Sequence, residues 1–130
     1  MKNAITTLVA FVILFCSCNK SDDDPVVTLE GKWNVESTVY KEYVNNALIS
    51  TTTAPADGTT FDFQKNGHLI ITHPGNVVES LTYSILANSK VKIEDDTLDI
   101  KTLLASTASL FIRQDYAAGE YDEVLVNLKR

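Results

Sequence analysis

A chain of 130 residues with a formal charge of −6 and 45% apolar residues is about one globular domain with an acidic bias. That bias argues against nucleic acid and against an electrostatic footprint on anionic lipid, since both need clustered Lys and Arg. Two cysteines, Cys16 and Cys18, and two histidines, His68 and His73, are too few for a disulfide framework or a structural zinc set.

The first element is a leader. Lys2 supplies a basic start, Ala4 to Phe15 an apolar stretch, and Cys16-Ser17-Cys18 a break before the polar run Asn19-Lys20-Ser21-Asp22-Asp23-Asp24. These are the parts of a secretory signal. The apolar stretch falls short of the roughly 20 residues that cross a hydrocarbon core, so removal rather than retention is expected. Phe15-Cys16-Ser17-Cys18 resembles a bacterial lipobox, in which a small residue precedes the cysteine that is acylated before signal peptidase II cleaves. The resemblance implies a signal peptide over residues 1–17 and lipid on Cys18. Cys16 is the rival acceptor, but Phe15 would then stand where a small residue belongs. An ordinary secreted protein cut nearby is the other reading; a mature chain without Cys16 would keep one cysteine and form no internal disulfide. Each buried methylene contributes about 0.8 kcal/mol, and two or more acyl chains anchor firmly. Ser21-Asp22-Asp23-Asp24 resembles the signal that sends Bacteroidetes-type lipoproteins to the outer face of the outer membrane. It implies a lipid-anchored protein facing the cell exterior. A periplasmic face is the alternative, and the bland reading of the run is a solvated acidic tether over 18–28.

Loss of residues 1–17 takes Lys2 with it and moves the formal charge to −7. From Leu29 to Arg130 turn formers recur, at Asn45-Asn46, Asp57-Gly58, Asn66-Gly67, Pro74-Gly75-Asn76, Asn88-Ser89, Asp95-Asp96, Ser106-Thr107 and Ala118-Gly119. They divide the domain into nine short segments, spaced as in a sandwich or barrel. Asn66-Gly67 carries the composition of a type I′ hairpin turn, whose two central residues need positive φ. The segments alternate with period two. Trp33, Val35, Ser37 and Val39 share one side of the first; Phe61 and Phe63 precede the Asn66-Gly67 turn, and Leu69 and Ile71 follow it. Val91 with Ile93, Leu98 with Ile100, and Val124, Val126 and Leu128 form further apolar rows. One apolar and one polar face mean antiparallel sheet. Leu103 to Ser109 is the one stretch with a hint of helix, and Ser50 to Ala54 reads as a loop or frayed edge.

With hairpins throughout, the expected fold is all-β: an antiparallel up-and-down closed barrel of eight or nine strands, whose closure removes sticky edges. At this size the interior is either filled by side chains or holds one small ligand. Leu29-Glu30-Gly31-Lys32-Trp33 resembles the G-x-W opening of the lipocalin first strand. Phe61-Asp62-Phe63-Gln64-Lys65-Asn66-Gly67 is similar to a hairpin of the short lipocalin-like domains of Bacteroidetes lipoproteins. The resemblance implies that Gly31 and Trp33 close the barrel bottom under a basic side chain. Lys129 or Arg130 match it by position, and Arg113 is a further candidate for this closure. The second lipocalin motif, T-D-Y, has no counterpart.

Chemistry is sparse. His68 and His73, five apart on a strand, face opposite ways and make poor joint metal ligands. The carboxylates are many, but no spacing fixes a pair for acid/base work. Glu94-Asp95-Asp96 reads as an acidic turn, with weak calcium binding as its alternative. No nucleophile set, phosphate cradle or cofactor motif stands out, so the expectation is a non-enzyme without a cofactor. Inward parity nominates Val35, Phe61, Phe63, Ile71, Tyr83, Ile85, Ile93 and Ile112 as the walls of any ligand cavity. Two readings follow: a carrier of a small hydrophobic or amphipathic molecule, or a filled barrel serving as an interaction or inhibitor-like module.

Overall fold

A computed structural model describes Val27 to Arg130. The leader, Cys18 and the acidic run after it lie outside the described residues. Nine strands follow in order: β1 (Gly31–Val44), β2 (Ala47–Pro55), β3 (Thr60–Phe63), β4 (His68–His73), β5 (Val77–Leu86), β6 (Lys90–Ile93), β7 (Asp96–Leu103), β8 (Thr107–Ala117) and β9 (Glu120–Lys129). There is no helix among the described residues, and Leu103 to Ser109 is a strand end, a turn and a strand start. Every pairing is antiparallel, in the order β2-β1-β3-β4-β5-β6-β7-β8-β9, and β1 also pairs with β9. The result is a closed eight-stranded up-and-down barrel, with β2 as a ninth strand laid along β1.

β2 owes its position to a break. Asp57 Oδ1 accepts a hydrogen bond from Thr59 N at 2.8 Å, and Gly58 takes φ +92°, a value that L side chains rarely adopt. The chain leaves β1 after Pro55 and returns at Thr60, where β3 joins β4. β2 is left with a free edge. Ser50 to Ala54 lies within it, as edge strand rather than loop.

A second irregularity sits in β1. Val35 faces Leu128 and Ser37 faces Asn127, so Glu36 is one residue too many on its strand. Such a bulge reverses the inside and outside of everything beyond it. Thr38 opposite Val126 and Tyr40 opposite Val124 thereby turn inward. Ser37 and Val39, which alternation puts on the Trp33 face, turn outward instead. Ser37 Oγ there accepts from Asn127 Nδ2 at 3.0 Å, and Val39 pairs with Leu125.

The turns follow their chemistry. Asn45 and Asn46 both have positive φ and join directly paired residues, a type I′ turn. Asn66-Gly67 differs from that expectation. Only Gly67 has positive φ (+84°), while Gly67 N donates to Gln64 O at 3.1 Å and Gln64 N to His68 O at 2.8 Å. This is a type I turn closed by a left-handed glycine, the next commonest hairpin link.

The core fills the lower barrel. Trp33, Phe63, Leu69, Val91, Leu110 and Leu128 are all fully buried, each worth roughly 1.5–3 kcal/mol in transfer from water.

Candidate functional site

The barrel has one sealed end and one open end. At the sealed end Trp33 lies under the core, its Nε1 donating to Leu29 O at 2.8 Å. The Arg130 guanidinium stacks on the indole with its carbon 3.9 Å from the ring centroid. Its Nη2 donates to Thr28 O at 3.1 Å and also to Glu30 O. Gly31, at φ +106°, leaves the space beside that guanidinium open. Arg113 is elsewhere: on the outer face, 3.6 Å over the Tyr121 ring and bonded to Asp115 at 2.7 and 2.9 Å. The cation that covers Trp33 is therefore Arg130, because β8 turns its odd-numbered side chains outward beyond Ser109 while the chain end curls back under β1.

Above the core the interior opens into two adjoining hollows that share Phe61 and Val126 as walls. One, of about 270 Å³, lies between Val35, Thr38, Tyr40, Asp57, Thr59 and His73. The other, of about 220 Å³, lies between Leu69, Ile71, Ile93, Leu98, Leu110 and Ile112, with Asp96 and Gln114 at its lip. Each is smaller than the roughly 300 Å³ at which ligand pockets begin. Their shared walls make them two lobes of one depression.

Five of the residues nominated by parity line these lobes: Val35, Phe61, Ile71, Ile93 and Ile112. Phe63 belongs to the packed floor, 5.1 Å from Tyr83 in an edge-to-face contact. Tyr83 is also low in the barrel; its hydroxyl donates to Gln64 O at 2.8 Å, and burial pushes its pKa up. Ile85 stands beside the turn into β6, is 54% exposed, and lines neither lobe. Parity missed Thr38 and Tyr40, which reach the depression because of the Glu36 bulge. It also missed Asp96 and Gln114, whose polar character hid their inward register opposite Ile93 and Asp122.

His68 and His73 face opposite sides of β4. His73 is at the mouth, with Nδ1 3.5 Å from Thr59 Oγ1 and Nε2 3.1 Å from Glu79 Oε1. Among the described residues no group of three or more His, Cys, Asp or Glu side chains is placed to hold a metal. Glu94 Oε1, in the acidic turn, accepts from Thr82 N at 2.5 Å.

Hydrogen bonds from Thr59 hold Asp57 below the ordinary carboxylate value of 3.8. A carboxylate with a depressed folded pKa stabilises fully above its unfolded value and loses that contribution as pH falls through the folded one. Stability is thus expected to be level above about pH 4 with respect to this group and to decline below it. The Asp57→Asn variant should show a shallower decline in thermal midpoint across that acid range. An identical acid profile in both proteins would remove Asp57 from the account.

No protein-family model matches the chain, and no curated protein matches it. The fold itself is plain: a closed antiparallel β-barrel of the lipocalin-like kind, sealed below by Trp33 and open above.

Proposed function

We propose that this is a cell-envelope lipoprotein, acylated on Cys18, whose barrel carries a small hydrophobic or amphipathic molecule in the depression above the core. The observation that supports it is the division of the barrel. A floor of fully buried apolar side chains lies under an apolar-walled opening bounded by Phe61, Ile71, Ile112 and Val126. A barrel meant only to be stable gains nothing from leaving those side chains half covered. The leader, the lipobox resemblance and the acidic run support the proposed location, the outer membrane with the barrel facing the exterior.

Mass spectrometry of the full chain, expressed with its own leader and extracted in mild detergent, tests both parts. Under denaturing conditions the expected mass is that of residues 18–130 plus a thioether-linked diacylglyceryl group. Under native conditions an additional small apolar species is expected. Ile112→Arg, checked for an unchanged thermal midpoint, should lose that species and keep the lipid. A bare Cys18 overturns the anchor. An empty native protein under every extraction favours the second reading, a filled barrel acting as an accessory module, which the small volume of each lobe supports.

A further inference from the structure

The charges of this barrel are sorted by side. Neither lobe of the depression is lined by a lysine or arginine, although both have carboxylates: Asp57 in one and Asp96 in the other. Register adds Glu79, directly opposite Ile71 and so on the same face, and Asp122, opposite Gln114. Among the described residues the basic side chains are turned away from the two lobes, Lys41 with Val39 on the outer face. Lys32 and Lys92 alternate with the buried Trp33 and Val91, Lys90 and Lys101 hold Asp99 outside at 2.5 and 3.0 Å, Arg113 covers Tyr121, and Arg130 is under the floor. Among the described residues that line the two lobes, His73 alone is able to become positive, and it is already held against Glu79. Asp96 has no side-chain partner among the described residues.

From this sorting, and resting on the carrier reading above, we infer that the ligand is an amphiphile with a cationic head and an apolar body. Its body would lie against Phe61, Ile71 and Ile112, and its head at the lip beside Asp96. A carboxylate-headed ligand such as a fatty acid meets only like charge there, and like charge brought together is costly. Neutral heads would be indifferent.

Isothermal titration of the purified protein with three probes of one chain length, octyltrimethylammonium, octanol and octanoate, separates the cases. At low salt the cation is expected to bind at least about tenfold tighter than octanoate, with octanol between them. Added salt should narrow the gap, since exposed charges are screened within about 10 Å at 0.1 M. The double variant Glu79→Gln, Asp96→Asn should bring cation and octanoate affinities together. Asp62→Asn with Glu36→Gln, an equal change in net charge on the outer face, should leave the order intact. If octanol binds and the cation gains nothing over octanoate, or if the outer-face variant erases the preference as well as the rim variant, the charge inference is overturned and the carrier reading stands. Absence of binding by all three removes both.

Discussion

Trp33→Ala is expected to destabilise the barrel by roughly 3–5 kcal/mol, the range for truncating a buried large aromatic side chain. Trp33 has no exposed surface, closes the sealed end and donates its indole N–H to Leu29 O, so truncation removes a fully buried side chain and its hydrogen bond together. Removing the cation alone should cost far less. Arg130→Ala forfeits stacking worth about 0.5–1 kcal/mol at an exposed site, together with hydrogen bonds to carbonyls that water can reach. Urea unfolding followed by circular dichroism gives both numbers; fluorescence cannot serve, because Trp33 is the only tryptophan. A loss below about 1 kcal/mol for Trp33→Ala would contradict the assignment of this residue to the floor. Equal losses for the two variants would instead mean that the guanidinium, not the indole, seals the end.

Much of this architecture is written locally. Asn45-Asn46, Gly67, Gly75-Asn76, Asn88-Ser89 and Gly119 mark turns because their backbones sit at positive φ, which few other residues tolerate. Six of the eight expected turns fall wholly between successive strands, while Asp95-Asp96 and Ser106-Thr107 each run one residue into the strand that follows, and nine segments become nine strands. Alternation likewise identifies the inward rows of β3, β4, β6 and β9, where strands run without interruption. It fails where long-range pairing decides. Nothing in Val35-Glu36-Ser37 announces an extra residue, because a bulge is defined by the partner strand. Alternation therefore hides Thr38 and Tyr40 from the candidate site and puts Ser37 and Val39 on the wrong face. The choice of cation over Trp33 also depends on tertiary geometry: Arg113 and Arg130 are equally basic, and only the path of the chain end separates them. Which inward residues line open space is equally invisible to parity. Phe61 and Phe63 share a face, yet one lines the depression and the other is packed solid, because the lower barrel is filled from across by Tyr83 and Trp33. Asp96 and Gln114 show the converse: a polar residue at an inward position reads as a turn or an outer face unless the mouth of a cavity is known to be there.

Deleting Glu36 should be far more damaging than replacing it. The side chain is exposed and makes no hydrogen bond or ion pair among the described residues, so Glu36→Ala is expected to change stability by no more than about 0.5 kcal/mol. The backbone position is another matter. Without it the outer half of β1 must either slip by one residue against β9 or turn its faces over. A slip breaks the two-residue connection at Asn45-Asn46 and its bond from Asn46 N to Gly119 O at 2.9 Å. Inversion drives Val39 and Tyr43 inward and expels Thr38 and Tyr40. It also undoes the Tyr43–Tyr121 stack, whose rings are 4.4 Å apart, and the hydrogen bond from Tyr43 to Glu123. Losing one aromatic pair and two or three cross-strand pairs amounts to roughly 1–4 kcal/mol. The floor around Trp33 lies on the other side of the bulge and keeps its contacts, so the damage should be local. Hydrogen exchange is expected to show protection lost along Thr38 to Val44, β2 and the upper part of β9, with Phe63, Leu69 and Leu110 still slow. Because Thr38 and Tyr40 line the larger lobe, octanol binding should weaken in the same variant. A deletion that leaves both the exchange pattern and the binding untouched would show that β1 can shed a residue freely, and the assignment of its inward side chains would have to be given up.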